Sequence, residues 1–339
     1  MITVTAPARL HLGFLDLGAN LGRRYGSIGM AIDSHRVRLQ VHPGDHLQIT
    51  GQANEAIGLK VQTLAEQIIA RLQQHRPGQS ISPHIQLQEM IPEHAGLGSG
   101  TQLAISLGHA LAAFYGVTLN SSQIAQLTGR GKRSGIGINT FERGGFVVDG
   151  GLADSSDVPP LLMHHAFPES WRILLIMDPH YQGVHGQAEK KAFTTLPRFS
   201  ATDSQAICHL TLMQLLPALV EANIDAFGAA ITDIQSLIGE YFAPAQGGQF
   251  TSPRVAQLLH LARNMGHRGI AQSSWGPTGC VFVDSPEAAT TLKAALEAQC
   301  QQTEMRGLQF HVTAATQKPA QIIRDCPETP FTQLRSHHG

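Results

Sequence analysis

The chain has 339 residues, a formal net charge of -1 and 42% hydrophobic residues. That length allows two domains, and that apolar content allows a sizeable core, so a disordered chain is excluded. The near-neutral charge excludes the general basic excess of a nucleic-acid-binding domain, although local basic clusters can still hold small anions.

In chain order, the first 50 residues read as β. Ile2, Val4, Leu10, Leu12 and Phe14 alternate at strand period, as do Val37, Leu39 and Val41. A helical stripe covers 58–74 and ends at Pro77-Gly78; His84 to Met90 reads as a strand. The stretch Pro92–Thr101 then runs into a helix with Leu103, Leu107, Ala110, Leu111 and Phe114 on one face. A short helix near 121–129 precedes a Gly-rich stretch, 129–151, and a weakly periodic segment at 155–170 reads as a domain junction. The second half opens with a strand, Trp171 to Met177. Helices are expected at 203–222, 224–239 and 253–265, a strand at Gly279 to Asp284, a helix at 286–301 and a closing strand at Gln309 to Ala314. Alternating strands and helices of this kind predict two α+β domains, 1–165 and 166–339.

No run of 18 apolar residues exists, so no membrane partner is expected, and the N-terminal MITVTAPARLHLGFLDL does not read as a signal peptide. Cys208, Cys280, Cys300 and Cys326 form no CxxC pair, which fits a reducing, cytoplasmic compartment. The 18 histidines contain no HExxH and read as ordinary surface and core residues.

Four stretches carry chemistry. Gly96-Leu97-Gly98-Ser99-Gly100-Thr101 lies between a strand and an apolar helix. Glycines admit an anion close to the backbone, and the helix N-terminus adds unpaired N–H groups and a positive dipole end. The spacing is neither a Walker loop nor a dinucleotide fingerprint. Gly129-Arg130-Gly131-Lys132-Arg133-Ser134-Gly135 sets three cations in a glycine-rich backbone, which suits a phosphorylated ligand or merely a solvated face. Glu142–Gly151 is a short apolar strand between glycine pairs, ending on Asp149. Such a carboxylate either binds magnesium or satisfies its own turn; Asp154 is a second candidate ligand. Ser273-Ser274-Trp275-Gly276-Pro277-Thr278-Gly279 is a tight loop in which Trp275 either stacks on a ligand or packs.

Three stretches, in order, resemble the motifs of the GHMP kinase superfamily. Ala6–Leu12 resembles the first, Pro92–Ala104 the phosphate loop and Ser273–Gly279 the third. This implies a ribosomal-protein-like N-terminal domain and a ferredoxin-like C-terminal domain. Three departures stand out: Gly100 replaces a usual second Ser, Gly137 replaces the Asp of an S-G-x-D run, and Trp275 stands in the third motif where a small residue is usual.

The wording HAGLGSGTQLA, RSGIG with F-x-x-GGF-x-VDGG, and QSSWGPT resembles a non-kinase branch, the β-ribofuranosylaminobenzene 5′-phosphate synthase family of methanopterin-type cofactor synthesis. That resemblance implies joining phosphoribosyl pyrophosphate to 4-aminobenzoate with loss of carbon dioxide and pyrophosphate, with magnesium as cofactor and a homodimer as the assembly. It implies phosphate contacts from Gly96, Gly98, Ser99, Gly100, Thr101, Arg130, Lys132, Arg133 and Ser134, and substrate contacts from Trp275, Gly276 and Thr278. Arg9 or Arg143 would take the acceptor carboxylate, and Asp149 and Asp154 the metal. The alternative is a GHMP small-molecule kinase using ATP.

Overall fold

The computed structural model describes residues 1–52, 54–74, 81–183, 186–302 and 305–325. Its strands form two sheets. In the N-terminal half, β1 (Ile2–Asp16), β2 (Tyr25–Gly44) and β3 (Gln48–Gly51) are followed by α1 (Glu55–Gln73), β4 (Ser82–Glu89) and α2 (Ser99–Phe114). Next come α3 (Ser121–Leu127), α4 (Ile136–Arg143), β5 (Phe146–Asp149) and β6 (Leu161–His165). The C-terminal half runs through β7 (Arg172–Met177), α5 (Gly186–Thr195), α6 (Ala201–Leu210), a π turn (Thr211–Leu215), α7 (Leu216–Val220) and α8 (Ile224–Gln246). It continues with α9 (Pro253–Asn264), β8 (Gly269–Gln272), β9 (Thr278–Val283), α10 (Pro286–Gln302), β10 (Gln309–Thr313) and β11 (Gln321–Arg324).

The first sheet has the order β11-β1-β2-β4-β3, with β5 on the other stretch of β2 and β6 beyond it. Alternation in β1 explains its placement: Val4, Ala6, Ala8, Leu10 and Leu12 all point into the core, fully buried. β2 is long because it serves two neighbours, pairing β4 through residues 38–44 and β5 through 27–30. Of the helices on this sheet, α2 is the most enclosed. It buries Leu103, Ala104, Ile105, Leu107, Ala110 and Leu111, so the single apolar stripe expected of it is in fact a helix covered nearly all round.

The second sheet is antiparallel, β10-β7-β9-β8. The unbroken apolar run of β7 follows from burial on both faces. Ile173, Leu175 and Met177 join the large core shared with the first sheet, whereas Leu174 and Ile176 join a second core under α9 and α10. The α+β architecture is the expected one, with the first sheet's β6 ending at His165 and the second sheet beginning at Arg172. The chain then returns: β11 pairs with β1 and adds the C-terminal segment to the first sheet.

Three elements depart from the sequence reading. The 155–170 segment contains β6, an edge strand whose Leu162 is 64% exposed, so its apolar face gives no clean alternation. The Gly-rich stretch contains α4, hidden by Gly135 and Gly137, residues of low helix propensity. The helix expected over 203–222 is interrupted by the π turn just ahead of Pro217. Pro217 has no N–H to return to the Met213 carbonyl, and the ladder shifts there.

Candidate active site

The three motifs meet at the N-terminus of α2. Gly98 caps that helix in the left-handed conformation, with φ +84° and no side-chain cap. The first-turn N–H groups at Ser99 and Gly100 therefore face outward with the positive end of the helix dipole. A Cβ on Gly98 would lie 2.9 Å from Cγ and Nε of Arg9, so the arginine of the first motif runs directly beneath the loop. Its guanidinium donates to the Gly96 carbonyl, and its backbone N–H donates to the Leu97 carbonyl at 3.1 Å.

The third motif closes on the loop from the other side. Ser273 Oγ donates to the Gly96 carbonyl at 2.8 Å and accepts from the His11 backbone N–H at 3.1 Å. The Ser274 N–H donates to the His11 carbonyl at 2.8 Å. Cβ atoms would not fit here: one on Gly96 would sit 2.2 Å from the Ser273 carbonyl oxygen, and one on Gly276 would sit 2.3 Å from the Gly96 nitrogen. His11 itself is buried and stays neutral; burial, reinforced by the Arg9 charge, pushes its pKa down to about 3. The back of the loop therefore carries one cation, Arg9, rather than two.

A cleft of about 350 Å³ opens over this junction, within the range of small-molecule sites. Arg9, Lys60, His94, Ser99, Thr101, Arg130 and Trp275 line it, with glycines 96, 98, 100, 183, 186 and 276. Arg130 aims its guanidinium at the helix end: a Cβ on Gly100 would lie 3.4 Å from its Nη1. The guanidinium thus passes at ordinary contact distance from the Gly100 position. Arg130 Nε is buried without a hydrogen-bond partner, and burial lowers the pKa of the group. Glu93 also lines the cleft, where it pairs with Lys60. A helix N-terminus, two arginines and a partnered acid make this end of the cleft a place for an anion.

The sequence-predicted residues divide. Arg9, Gly96, Gly98, Ser99, Gly100, Thr101, Arg130, Trp275 and Gly276 line the cleft. Lys132 is exposed and is outside that lining. Arg133 lies with Cζ 4.8 Å from the centroid of the Phe193 ring, and Ser134 Oγ accepts from the Ile136 N–H at the start of α4. Thr278 is fully buried and borders a separate hollow of about 200 Å³ with Asp178, Tyr181 and His94. Arg143 is exposed in the last turn of α4, so the carboxylate role expected of it has no structural counterpart at the cleft. Trp275 is only 5% exposed, with its ring 4.2 Å from Phe242 and 5.7 Å from Phe193. It is packed as a wall, with little of its face presented.

Of the aspartates expected to hold metal, Asp149 is committed to backbone donors and Asp154 stands outside the cleft lining. Asp149 is fully buried, and both carboxylate oxygens are used: Oδ2 accepts from the Gly135 N–H at 2.8 Å and Oδ1 from the Gly151 N–H at 2.9 Å. Burial pushes its pKa up to about 6, against the opposing pull of those N–H donors. It ties the start of α4 to the turn after β5. Asp154 is exposed beyond that turn. Among the described residues no group of three His, Cys, Asp or Glu side chains is arranged to hold a metal ion. Sequence reasoning passed over Lys60, Glu93 and His94. His94 adopts φ +57°, uncommon for a non-glycine residue, at the entrance to the phosphate loop. Lys60 gives no signal at all, being one cation on a surface helix.

Two family models match the chain: the GHMP kinases N-terminal domain over residues 63–145 and the GHMP kinases C-terminal domain over 215–302. Among curated proteins, the chain is similar to β-ribofuranosylphenol 5′-phosphate synthase of Archaeoglobus fulgidus, 31% identical, with 84% of this chain and 88% of that protein covered. It is 28% identical to the protein of the same name from Methanothermobacter thermautotrophicus, over 81% of this chain and 87% of the relative. Of solved structures, homoserine kinase from Cytophaga hutchinsonii superposes with a TM-score of 0.63 at 19% identity, covering 95% of this chain and 97% of that one. No helix among the described residues is long and apolar enough to cross a membrane.

Proposed function

Because the chain belongs to the β-ribofuranosylphenol 5′-phosphate synthase family, on the GHMP kinase fold, we propose that it is a decarboxylating phosphoribosyltransferase. It joins phosphoribosyl pyrophosphate to 4-aminobenzoate and gives β-ribofuranosylaminobenzene 5′-phosphate, carbon dioxide and pyrophosphate, in tetrahydromethanopterin synthesis. The observation that carries this reading is the cationic cleft: the open first turn of α2 and the Arg130 guanidinium converge on one point.

That placement suits the chemistry of the proposed reaction. Pyrophosphate leaves the anomeric carbon with the bonding electron pair, and positive groups already fixed in place stabilise the growing charge without reorganising. Arg130 and the N–H groups of Ser99 and Gly100 hold the pyrophosphate, while Arg9 keeps the loop in shape from below. The ring carbon that bears the carboxylate attacks the cationic sugar carbon. The bond to the carboxylate then breaks, its electrons restore the aromatic ring, and neutral carbon dioxide departs. Magnesium belongs to this proposal as the companion ion of pyrophosphate, a usual arrangement in which substrate oxygens supply much of the coordination.

The position where related kinases carry a catalytic Asp supports the non-kinase reading. Gly137 lies in the first turn of α4, and a Cβ there would be 2.7 Å from Thr101 Cγ2. A larger side chain has no room while Thr101 keeps its place. The relatives' name gives their product as a phenol, whereas the acceptor proposed here carries an amine. Purified protein supplied with phosphoribosyl pyrophosphate and either 4-aminobenzoate or 4-hydroxybenzoate tests the choice by the mass of the product. The aniline riboside is the expected product from 4-aminobenzoate. Exclusive use of 4-hydroxybenzoate would replace the acceptor, and a product retaining the carboxylate would overturn the reaction type.

A further inference from the structure

We propose that Arg133 is the residue that selects an aromatic carboxylate as acceptor, binding its carboxylate from the aromatic wall formed by Phe193 and Tyr25. This assignment rests on the reaction proposed above and deepens it. The two arginines of the basic loop separate in space. Arg130 points to the N-terminus of α2, the anion end of the cleft. Arg133, three residues later, is half-buried with its guanidinium carbon 4.8 Å from the Phe193 ring centroid.

Phe193 belongs to a continuous aromatic surface. Its ring meets those of Tyr25 at 6.1 Å, Phe14 at 6.3 Å, Phe242 at 5.8 Å and Trp275 at 5.7 Å, each edge to face. Trp275 lines the cleft, so this surface adjoins the phosphate site. Phe193 and Tyr25 are only half-buried, whereas Trp275 and Phe242 are buried. Phe193 and Tyr25 therefore keep accessible surface that Trp275 and Phe242 lack. Tyr25 is held at φ +77°, a left-handed conformation costly for a bulky side chain and maintained only where surrounding structure or function demands it.

A flat ring bearing a carboxylate matches that surface. The ring gains edge-to-face contacts with Phe193 and Tyr25, and the planar guanidinium matches the carboxylate oxygens two at a time. The arrangement also carries a cost in the reaction. A cation gripping the carboxylate opposes its loss, because that group leaves as neutral carbon dioxide. The contact between Arg133 and the Phe193 ring is made both before and after that loss, so it leaves this cost unchanged and the gain lies in selecting the acceptor. The product lacks the charge that bound the acceptor, which favours its release.

Calorimetric titrations of the full chain with 4-aminobenzoate, aniline and inorganic pyrophosphate test this, comparing wild type with Arg133→Gln and Arg133→Lys. Thermal melts check that each variant folds. Loss of a charge-assisted hydrogen bond should weaken 4-aminobenzoate by at least ~10-fold in Arg133→Gln, with partial recovery in Arg133→Lys, while pyrophosphate changes by less than about 2-fold. Aniline, without the carboxylate, should bind wild type and variants alike. Pyrophosphate weakened as much as 4-aminobenzoate would make Arg133 a phosphate contact and overturn the assignment. Unchanged 4-aminobenzoate binding in Arg133→Gln, or no binding to wild type, would overturn it too. If Arg133→Gln fails to fold, Arg133→Lys carries the same comparison. Failure of the parent reading would look different: 4-aminobenzoate bound through Arg133, with no pyrophosphate released from phosphoribosyl pyrophosphate.

Discussion

Ser273 Oγ donates a 2.8 Å hydrogen bond to the carbonyl of Gly96, across 177 residues of sequence. This bond fastens the third motif to the phosphate loop, and the same hydroxyl accepts from the His11 N–H of the first motif. Ser273→Ala removes both links and leaves a buried donor unpaired at His11, a loss of about 1–3 kcal/mol. We expect a lower Tm together with a lower kcat/KM for phosphoribosyl pyrophosphate. Gly96→Ala is expected to be more damaging, because its Cβ would fall 2.2 Å from the Ser273 carbonyl oxygen. A Gly96→Ala protein with wild-type kinetics would show that the loop is not held in this form.

Arg130 and Lys132 should separate cleanly in kinetics. Arg130→Ala removes the guanidinium at the α2 N-terminus and should lower kcat/KM by at least ~10-fold, as expected for a lost charge-assisted hydrogen bond worth roughly 1.5–3 kcal/mol. Lys132→Ala, on an exposed side chain, should stay within about 2-fold, since surface charges contribute little. Steady-state measurements with phosphoribosyl pyrophosphate as the varied substrate check both. The reverse order would move the phosphate site to the outer part of the loop.

Much of this site was legible because glycines and prolines mark tight backbone. The phosphate loop and the third motif stand out in the sequence for the same reason they work: Gly96 and Gly276 are the positions where no Cβ fits. The alternation of β1 was equally plain, since its buried face has no interruption from Val4 to Leu12. What the sequence concealed was partnership at a distance. Asp149 reads as a metal ligand or as an acid satisfying its own turn; the Gly151 N–H supplies the turn partner, but the second partner, the Gly135 N–H 14 residues earlier, is brought close only by folding. Arg130 and Arg133 read as one basic cluster, and only the fold sends one to the helix end and the other to Phe193. Lys60 pairs with Glu93 from a helix whose charges otherwise face solvent, and nothing local singles it out.

Asp149 gives a pH prediction. Its carboxyl is pushed up to about 6 in the folded protein, above the ordinary value of 3.8, mainly by burial. The folded state therefore holds this proton more tightly than the unfolded chain does. Stability from this group is fully present below the unfolded pKa and is lost as pH rises through about 6. Asp149→Asn should flatten that part of the stability profile while leaving magnesium dependence of activity unchanged. Urea unfolding at several pH values between about 4 and 7, the window set by these pKa values, measures the slope. An unaltered slope, or a raised magnesium requirement, would return Asp149 to the metal.

Gly137→Asp asks whether a kinase lies one substitution away. The new side chain would begin 2.7 Å from Thr101 Cγ2, an overpacked contact of a kind that typically costs about 1–3 kcal/mol. We expect a lower Tm and no ADP formation from magnesium-ATP with small alcohols, in either the variant or the parent. ADP production by the parent, at a rate comparable with the phosphoribosyl reaction, would favour the kinase instead.

In the proposed reaction a carbon–carbon bond to ribose forms at the ring position that loses its carboxylate. Protein with magnesium, phosphoribosyl pyrophosphate and carboxyl-labelled 4-aminobenzoate tests it in a single assay. Labelled carbon dioxide and pyrophosphate are expected in equal amounts. Pyrophosphate released with the label kept in a riboside would contradict it, because attack through the amine leaves the carboxylate in place.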